Sequence, residues 1–158
     1  MKLVSVFPAG FGAVYQLGEL VRRLPGKSPV YYANARLGKV LADYLVQNHF
    51  DAVVTTHLYP AETLTWMKQK GLLTIPCVAV ATDYACIPFW EETNCDFYVI
   101  PHKDLIPEFA FYGIPEEKLL PLGIPVRPAF ARPASKEDVR RHLGLPEDAP
   151  LFLVMSGS

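Results

Sequence analysis

Asp51-Ala52-Val53-Val54-Thr55-Thr56-His57-Leu58-Tyr59-Pro60 is the stretch that decides the fold. Its centre is a short, β-branched apolar run, with an acid before it and His57 behind it. Runs of that length and content are strands buried within a sheet. Pro60 then opens a helix in its first turn, carried by Leu64, Met67 and Lys68 and ended by Gly71. Cys77-Val78-Ala79-Val80-Ala81, entered by Pro76, repeats the buried strand. Phe97-Tyr98-Val99-Ile100, stopped by Pro101, repeats it again, and Leu119-Leu120-Pro121-Leu122 is a fourth, shorter one. Between the last two, His102 to Tyr112 reads as a helix closed by Gly113, with Pro107 restricting its first turn. Upstream, Asn34 can cap a helix whose apolar positions Leu37, Val40, Leu41, Tyr44 and Leu45 recur at helical spacing. Apolar strands alternating with helices predict an α/β fold: a Rossmann-like, doubly wound parallel sheet covered on both faces.

Beyond the fourth strand the composition changes. Pro121, Pro125, Pro128 and Pro133 make a stiff, extended connector. Ser135 then caps a short helix ended by Gly144, and Leu151-Phe152-Leu153-Val154-Met155 reads as a strand running into Ser156-Gly157-Ser158, where a phosphate-cradling turn would begin. These signals predict one domain over residues 1–126 and, over 127–158, a linker with the opening of a second. Of the two Gly-Ile-Pro triplets, the one at Gly113 is a helix stop and the one at Gly123 a domain-exit turn.

The chain has 158 residues, 51% of them hydrophobic and 20% charged, with a net charge of −1. A domain of that size buries roughly 70% of its unfolded surface, enough for a core without disulfides or metal. The balanced charge gives no electrostatic reason to expect nucleic acid. Three cysteines, Cys77, Cys86 and Cys95, cannot all pair and form no C-x-x-C, which points to reduced thiols and no zinc site. Lys2 and the apolar stretch to Val14 resemble a weak secretory signal. Pro8, Gly10 and Gly12 interrupt it and no cleavage site follows, so it reads as mature chain. No apolar run is long enough to span a bilayer.

Ligands of open α/β sheets sit beyond the carboxyl ends of the strands. The residues there are Thr55-Thr56-His57, Thr82-Asp83-Tyr84, Pro101-His102-Lys103 and Gly123-Ile124-Pro125-Val126-Arg127. His57 reads as a ligand contact or base, or as a structural histidine; Asp83 as an acceptor or orienting carboxylate, or as an Asx-turn. Phe89 and Trp90 are a wall for a lipid or sugar, or ordinary lid packing. Residues 11–27 carry an apolar stripe with Arg22, Arg23 and Lys27 at its end. That pattern suits a bilayer-surface helix, and slightly better a core helix with a cationic last turn. No Gly-x-Gly-x-x-Gly, Walker loop, His-Glu-x-x-His or Gly-x-Ser-x-Gly occurs.

Three ordered motifs, the quoted Asp51–Pro60 stretch, Thr82-Asp83 followed by Phe89-Trp90, and Gly123-Ile124-Pro125-Val126-Arg127-Pro128-Ala129-Phe130, together with the closing Leu151–Gly157 run, resemble the monogalactosyldiacylglycerol-synthase and processive diacylglycerol-glucosyltransferase family. The resemblance covers residues 28–158. It implies the N-terminal half of a GT-B architecture, in which a hexosyltransferase moves a sugar from a UDP-sugar to diacylglycerol. It further implies a peripheral enzyme on the cytoplasmic face of the membrane, needing no metal and no cofactor besides the UDP-sugar donor. His57, Thr82, Asp83, Phe89 and Trp90 would line the acceptor side, and Gly123, Ile124, Pro125 and Arg127 the inter-domain turn. The family's usual Gly-x-Gly-His base has no counterpart: Gly10-Phe11-Gly12-Ala13-Val14-Tyr15 lacks the histidine. The catalytic base is therefore unassigned, and the chain is expected to be truncated at both ends and inactive alone. Two other classes compete with this reading: a non-enzymatic α/β binding module, and a sugar-nucleotide epimerase of the same architecture. Everything rests on the polar tips at His57, Asp83 and Ile124 converging on one face of a parallel sheet.

Overall fold

A computed structural model describes residue 20, residues 26–132 and residues 134–154. The expectations for Lys2 to Val14, Gly10–Tyr15, most of the 11–27 helix and the closing Ser156-Gly157-Ser158 lie outside the described residues. The chain divides into two compact units, with the boundary between Ile124 and Pro125.

The first unit is built on four strands, β1 (Val53–Thr55), β2 (Cys77–Val80), β3 (Phe97–Val99) and β4 (Leu119–Leu120), which lie in chain order and pair in parallel throughout. This is the α/β, Rossmann-like class predicted from the alternation of apolar runs. Helices α1 (Pro29–Ala35), α2 (Gly38–Asn48), α3 (Leu58–Gln69) and α4 (Ile106–Phe111) accompany the sheet. Strand register puts Thr55, Ala79, Tyr98 and Leu119 in one row, all buried. Ala79, Tyr98 and Leu119 join Leu58, Ala61, Leu64 and Met67 of α3 in the core. The opposite face is only partly covered among the described residues: Val80 is buried, whereas Val54 and Phe97, in the neighbouring row, are open to solvent.

Helix α3 is the most deeply held element. Ala61, Glu62, Thr63, Leu64, Thr65 and Met67 are all buried, because the sheet covers one side and α1 and α2 pack on another. Its threonines and Lys68 are satisfied by neighbours. Thr65 Oγ1 donates to the Ala61 carbonyl at 2.8 Å and accepts from the Asn94 amide at 2.7 Å. Thr63 Oγ1 reaches the Asn34 carbonyl at 3.1 Å. Lys68 pairs with Asp96 at 2.6 Å, and the other Asp96 oxygen accepts the Cys77 amide at 2.8 Å, tying the helix to the start of β2. Burial works against ionised Asp96, yet these two bonds hold its carboxyl below the usual range.

The helix boundaries correct the sequence reading in three places. Ser28, not Asn34, caps the first helix, its hydroxyl accepting from the Tyr31 amide, with Pro29 in the first turn. The helix expected to start at Asn34 is α2, which begins only at Gly38, after a break at Arg36-Leu37 that separates it from α1, and it has no side-chain cap. Asn34 falls in the last turn of α1, where its side chain is taken by Glu62 at 2.5 Å. Helix α3 begins at Leu58, capped by His57, so Pro60 lies inside the first turn rather than opening it.

In the second unit, Pro128–Ala131 (α5) forms a helical turn within the stretch expected to be extended, and Lys136–His142 (α6) is capped by Ser135 as expected. Buried Arg140 donates to the carbonyls of Pro146, Glu147 and Ala149, which folds that loop back on α6. Residues 151–154 join no sheet among the described residues and are exposed, so the expected strand at Leu151–Met155 is not formed there. A strand needs a ladder partner for its amides and carbonyls, and apolar content does not supply one.

Two predictions follow from the packing on α3. A Cβ on Gly38 would lie 2.4 Å from the Trp66 ring, which is too rigid to yield cheaply. Gly38→Ala is expected to lower stability by about 1–3 kcal/mol despite its better helix propensity, and a thermal melt against wild type measures it. Glu62 is fully buried, and its Oε1 has no hydrogen-bond partner among the described residues. Burial, opposed by the Asn34 bond and reinforced by Glu92, raises its carboxyl from 4.5 to about 7. The folded state therefore holds this proton where the unfolded chain has lost it, so stability is greatest below the ordinary glutamate value and falls as pH rises to about 7. Denaturant titrations should show Glu62→Gln removing roughly 2–3 kcal/mol of that decline.

Candidate functional site

Parallel pairing puts the carboxyl ends of all four strands at one edge of the sheet. The segments that follow, at His57, Thr82-Asp83, His102 and Gly123, therefore leave from the same edge, and Gly123 is tied to it by its amide on the Ile100 carbonyl at 3.2 Å.

His57 sits two residues beyond β1, in extended backbone, exposed. Its Nδ1 accepts from the Tyr59 amide at 3.3 Å, and the ring packs on Tyr59 with centroids 4.8 Å apart. Thr55 braces it from behind: the hydroxyl donates to the His57 carbonyl at 3.0 Å and accepts the His57 amide at 3.2 Å. With Nδ1 engaged as an acceptor, the neutral ring carries its proton on Nε2. Such a histidine donates a hydrogen bond outward. It takes a proton through Nε2 only by giving up the helix cap, so the geometry fits a ligand contact better than a base. His102 repeats the device, accepting the Asp104 amide through Nδ1 at 3.3 Å.

Thr82 and Asp83 follow β2 and are exposed, beside Tyr84, which is 72% exposed. The loop beyond them is anchored where the Cys86 amide meets Glu108 of α4 at 2.8 Å. The two aromatics of that loop diverge from the expected wall. Trp90 is buried in the core, edge-on to Tyr98 at 6.2 Å, and so packs structure rather than facing a ligand. Phe89 is half-buried against the same core, with its backbone in the left-handed region at φ 80°. That conformation is rare for a bulky residue and marks local strain held by the packing around it. Gly123 also has positive φ, at 91°, where a glycine is free to turn. The boundary between the two units falls within the Gly123, Ile124, Pro125 and Arg127 stretch. Arg127 is exposed and precedes α5.

One feature was readable only in part from the sequence. A groove of about 490 Å³ runs between α2 and the start of α3, walled by Leu37, Val40, Leu41, Tyr44, Tyr59 and Pro60. The stripe at Leu37, Val40, Leu41 and Tyr44 has the spacing of an amphipathic helix, yet Leu37, Val40 and Tyr44 are more than half exposed. The buried face of α2 lies to one side, at Gly38 and Ala42. Tyr59 belongs to the groove and to the His57 stack together, so the groove opens beside the carboxyl end of β1.

Among the described residues, no group of three or more His, Cys, Asp or Glu is placed to hold a metal ion, and no helix is long and apolar enough to cross a membrane. Cys77, Cys86 and Cys95 are buried and none is in a disulfide.

Residues 2–126 match the protein family described as monogalactosyldiacylglycerol (MGDG) synthase. A probable monogalactosyldiacylglycerol synthase, chloroplastic, of Glycine max is 30% identical over 125 residues, which cover 77% of this chain and 24% of that protein. Monogalactosyldiacylglycerol synthase 1, chloroplastic, of Arabidopsis thaliana is 29% identical over the same share of each. A processive diacylglycerol beta-glucosyltransferase of Staphylococcus saprophyticus is 27% identical over 128 residues, 81% of this chain and 32% of that one. The chain thus spans about a quarter to a third of the length of these relatives. No solved structure matches it. The matched segment contains the whole parallel sheet and most of the chain, and on that ground the chain belongs to the monogalactosyldiacylglycerol synthase family.

Proposed function

We propose that this chain is the acceptor-side part of a glycosyltransferase that moves a hexose from a UDP-sugar to diacylglycerol at a membrane surface, on its cytoplasmic side. The observation that carries this is the meeting of a polar edge and an apolar groove at one residue, Tyr59, which stacks on His57 and walls the groove. A diacylglycerol needs that combination: a hydroxyl headgroup held by hydrogen bonds, with its hydrocarbon beside it. Family membership and the relatives' names support the reaction class, and the His57–Tyr59 stack beside the groove supports this position for the acceptor.

In this reading the unit ending at Ile124 is the acceptor-side half of a GT-B architecture. Residues from 127 onward open the sugar-nucleotide half. The Nε2–H of His57 and the Asp83 carboxylate orient the glycerol hydroxyl. Its oxygen bonds to the anomeric carbon as the bond from that carbon to UDP breaks and UDP leaves with the bonding pair; the hydroxyl proton passes to the base, which is unassigned. Asp83 is suited to orient that hydroxyl because it is exposed and sits just beyond β2. The donor is a UDP-sugar, and the chain needs no metal or cofactor of its own.

A titration of the chain with dioctanoylglycerol, followed by backbone amide shifts, tests the acceptor site. Saturable shifts centred on His57, Tyr59 and Asp83 are expected, and Tyr59→Ala should weaken binding about tenfold through loss of its aromatic wall. No saturation, or shifts confined to the second unit, would overturn the reading.

A further inference from the structure

Two buried glutamates hold the two ends of helix α1, and they hold them differently. At its start, Glu92 accepts the Ser28 amide on one carboxylate oxygen at 2.6 Å and the Ser28 hydroxyl on the other at 2.7 Å. At its end, Glu62 of α3 accepts only the Asn34 side chain, on Oε2, and its Oε1 meets no partner among the described residues. A carboxyl wholly out of water with one oxygen unmet is tolerated far better neutral than ionised. The groups around Glu62 do not offset a charge there. From α1 come the neutral Asn34 amide and the Tyr31 phenol, whose own proton is held more tightly by burial and by its neighbours, Glu62 among them. From the loop between β2 and β3 come Glu91 and Glu92, which both oppose ionisation. Lys27, just before α1, is the one described cation acting on it, and its Nζ is bonded to the Glu92 carbonyl at 2.5 Å. The strands carry no Asp, Glu, Lys, Arg or His, and on α2 Lys39 and Asp43 are exposed.

We propose that Glu62 is a proton-operated clasp: protonated, it keeps the α1–α2 arm on α3; ionised, it lets the arm come away while α3 and the sheet stay folded. The proposal goes beyond the acceptor reading and does not depend on it. Helix α1 has seven residues, too few to persist without its neighbours, and buries only Tyr31 and Ala35. What holds it otherwise is polar: Ser28 on Glu92, the Tyr31 hydroxyl on Gln69 at 2.8 Å, and Asn34. Asn34 is the joint of the arm. Its amide serves Glu62, while its carbonyl accepts the Thr63 hydroxyl and the Leu37 amide at the break before α2, both at 3.1 Å. Asn34 and Thr63 also line the groove between α2 and α3, so the clasp lies in the wall of that groove. When Glu62 ionises, water must reach Oε1, and the shortest way to admit it is to lift α1. Segments held by few apolar contacts are the ones that open below the cost of global unfolding.

In the docked arm burial raises the Glu62 carboxyl to about 7, and in the lifted arm water returns it to its ordinary 4.5. Opening is therefore least favourable below the lower value, becomes about tenfold easier per pH unit between the two, and levels off above the higher one. Amide hydrogen exchange of the full chain between pH 5 and 8, with each rate divided by the intrinsic rate at that pH, reads this opening. Protection from Tyr31 to Ala35 and in the first turn of α2 should be lower than in β2 and β3, fall about tenfold per unit up to about pH 7, and then stay level. Glu62→Gln keeps an acceptor for Asn34 and has no charge to gain, so its α1 protection should not change with pH. Asn34→Ala removes a bond that favours the ionised carboxyl and should move the levelling point to higher pH. Protection in α1 equal to that of the sheet at every pH overturns the proposal, because the arm then opens only with the whole unit. So does pH-independent protection in wild type, or an unchanged slope in Glu62→Gln, which places the proton on another group. Should Glu62→Gln fail to fold, levelling at the wild-type pH in Asn34→Ala overturns it as well.

Discussion

Helix α3 keeps a glutamate, two threonines and a methionine out of water, and the arrangement of the first unit follows from that constraint. A helix buried on two sides needs partners for the polar groups it carries inward, since an unmet one costs about 1–3 kcal/mol, and here only one Glu62 oxygen goes without among the described residues. The sheet and its loops meet Thr65 through the Asn94 amide; α1 meets Thr63 and Glu62 through Asn34. Ser28 holds the start of α1 in place by donating both its amide and its hydroxyl to Glu92, at 2.6 and 2.7 Å, in the loop that follows the buried Trp90. Helix α1 is therefore docked by polar bonds as much as by apolar area.

That docking fixes the surroundings of the candidate site. The break at Arg36-Leu37 turns the chain so that Gly38 passes against the Trp66 ring, at a distance only a residue without a side chain allows. Helix α2 then approaches α3 closely on its Gly38–Ala42 side and holds its Leu37–Val40–Tyr44 side clear. The groove is the gap this geometry leaves. At its mouth Thr55 and Tyr59 brace His57, one by two hydrogen bonds and the other by its ring, so a residue at the end of a short strand has a defined orientation.

The polar edge and the apolar groove make different demands. His57 and Asp83 are exposed and attached to rigid elements, which suits groups that meet a ligand's polar atoms and must not wander. The α2 face is apolar and open among the described residues. Phe89 in left-handed backbone and Trp90 inside the core show where the loop after Asp83 stores strain and what holds it. Rigidity beneath that loop comes from the edge-on pair of Trp90 with Tyr98 and from the Tyr98 hydroxyl, which accepts the Cys95 amide at 2.9 Å.

The sequence by itself determined the parallel sheet. β-Branched and small residues at 53–55 and 77–80, and Phe97-Tyr98-Val99, are too evenly apolar for any element but a strand of the sheet, and each is followed by helix-starting chemistry. It also placed His57, Asp83 and Gly123 beyond strand ends, since that depends only on order along the chain. Tertiary structure decided which side of each amphipathic element is covered. The Leu37–Tyr44 stripe has the spacing of a core helix, but the close pass at Gly38 rotates another side inward and leaves the stripe open. Trp90, adjacent in sequence to a loop that looks like a lid, is drawn into the core by Tyr98. Asn34 could cap a helix, yet buried Glu62 needs its amide more. Residues 151–154 have strand composition and no ladder. In each case local pattern states what a segment can do, and the neighbour that arrives from elsewhere in the chain selects among the options, because burial and hydrogen-bond satisfaction are settled between segments and not within them.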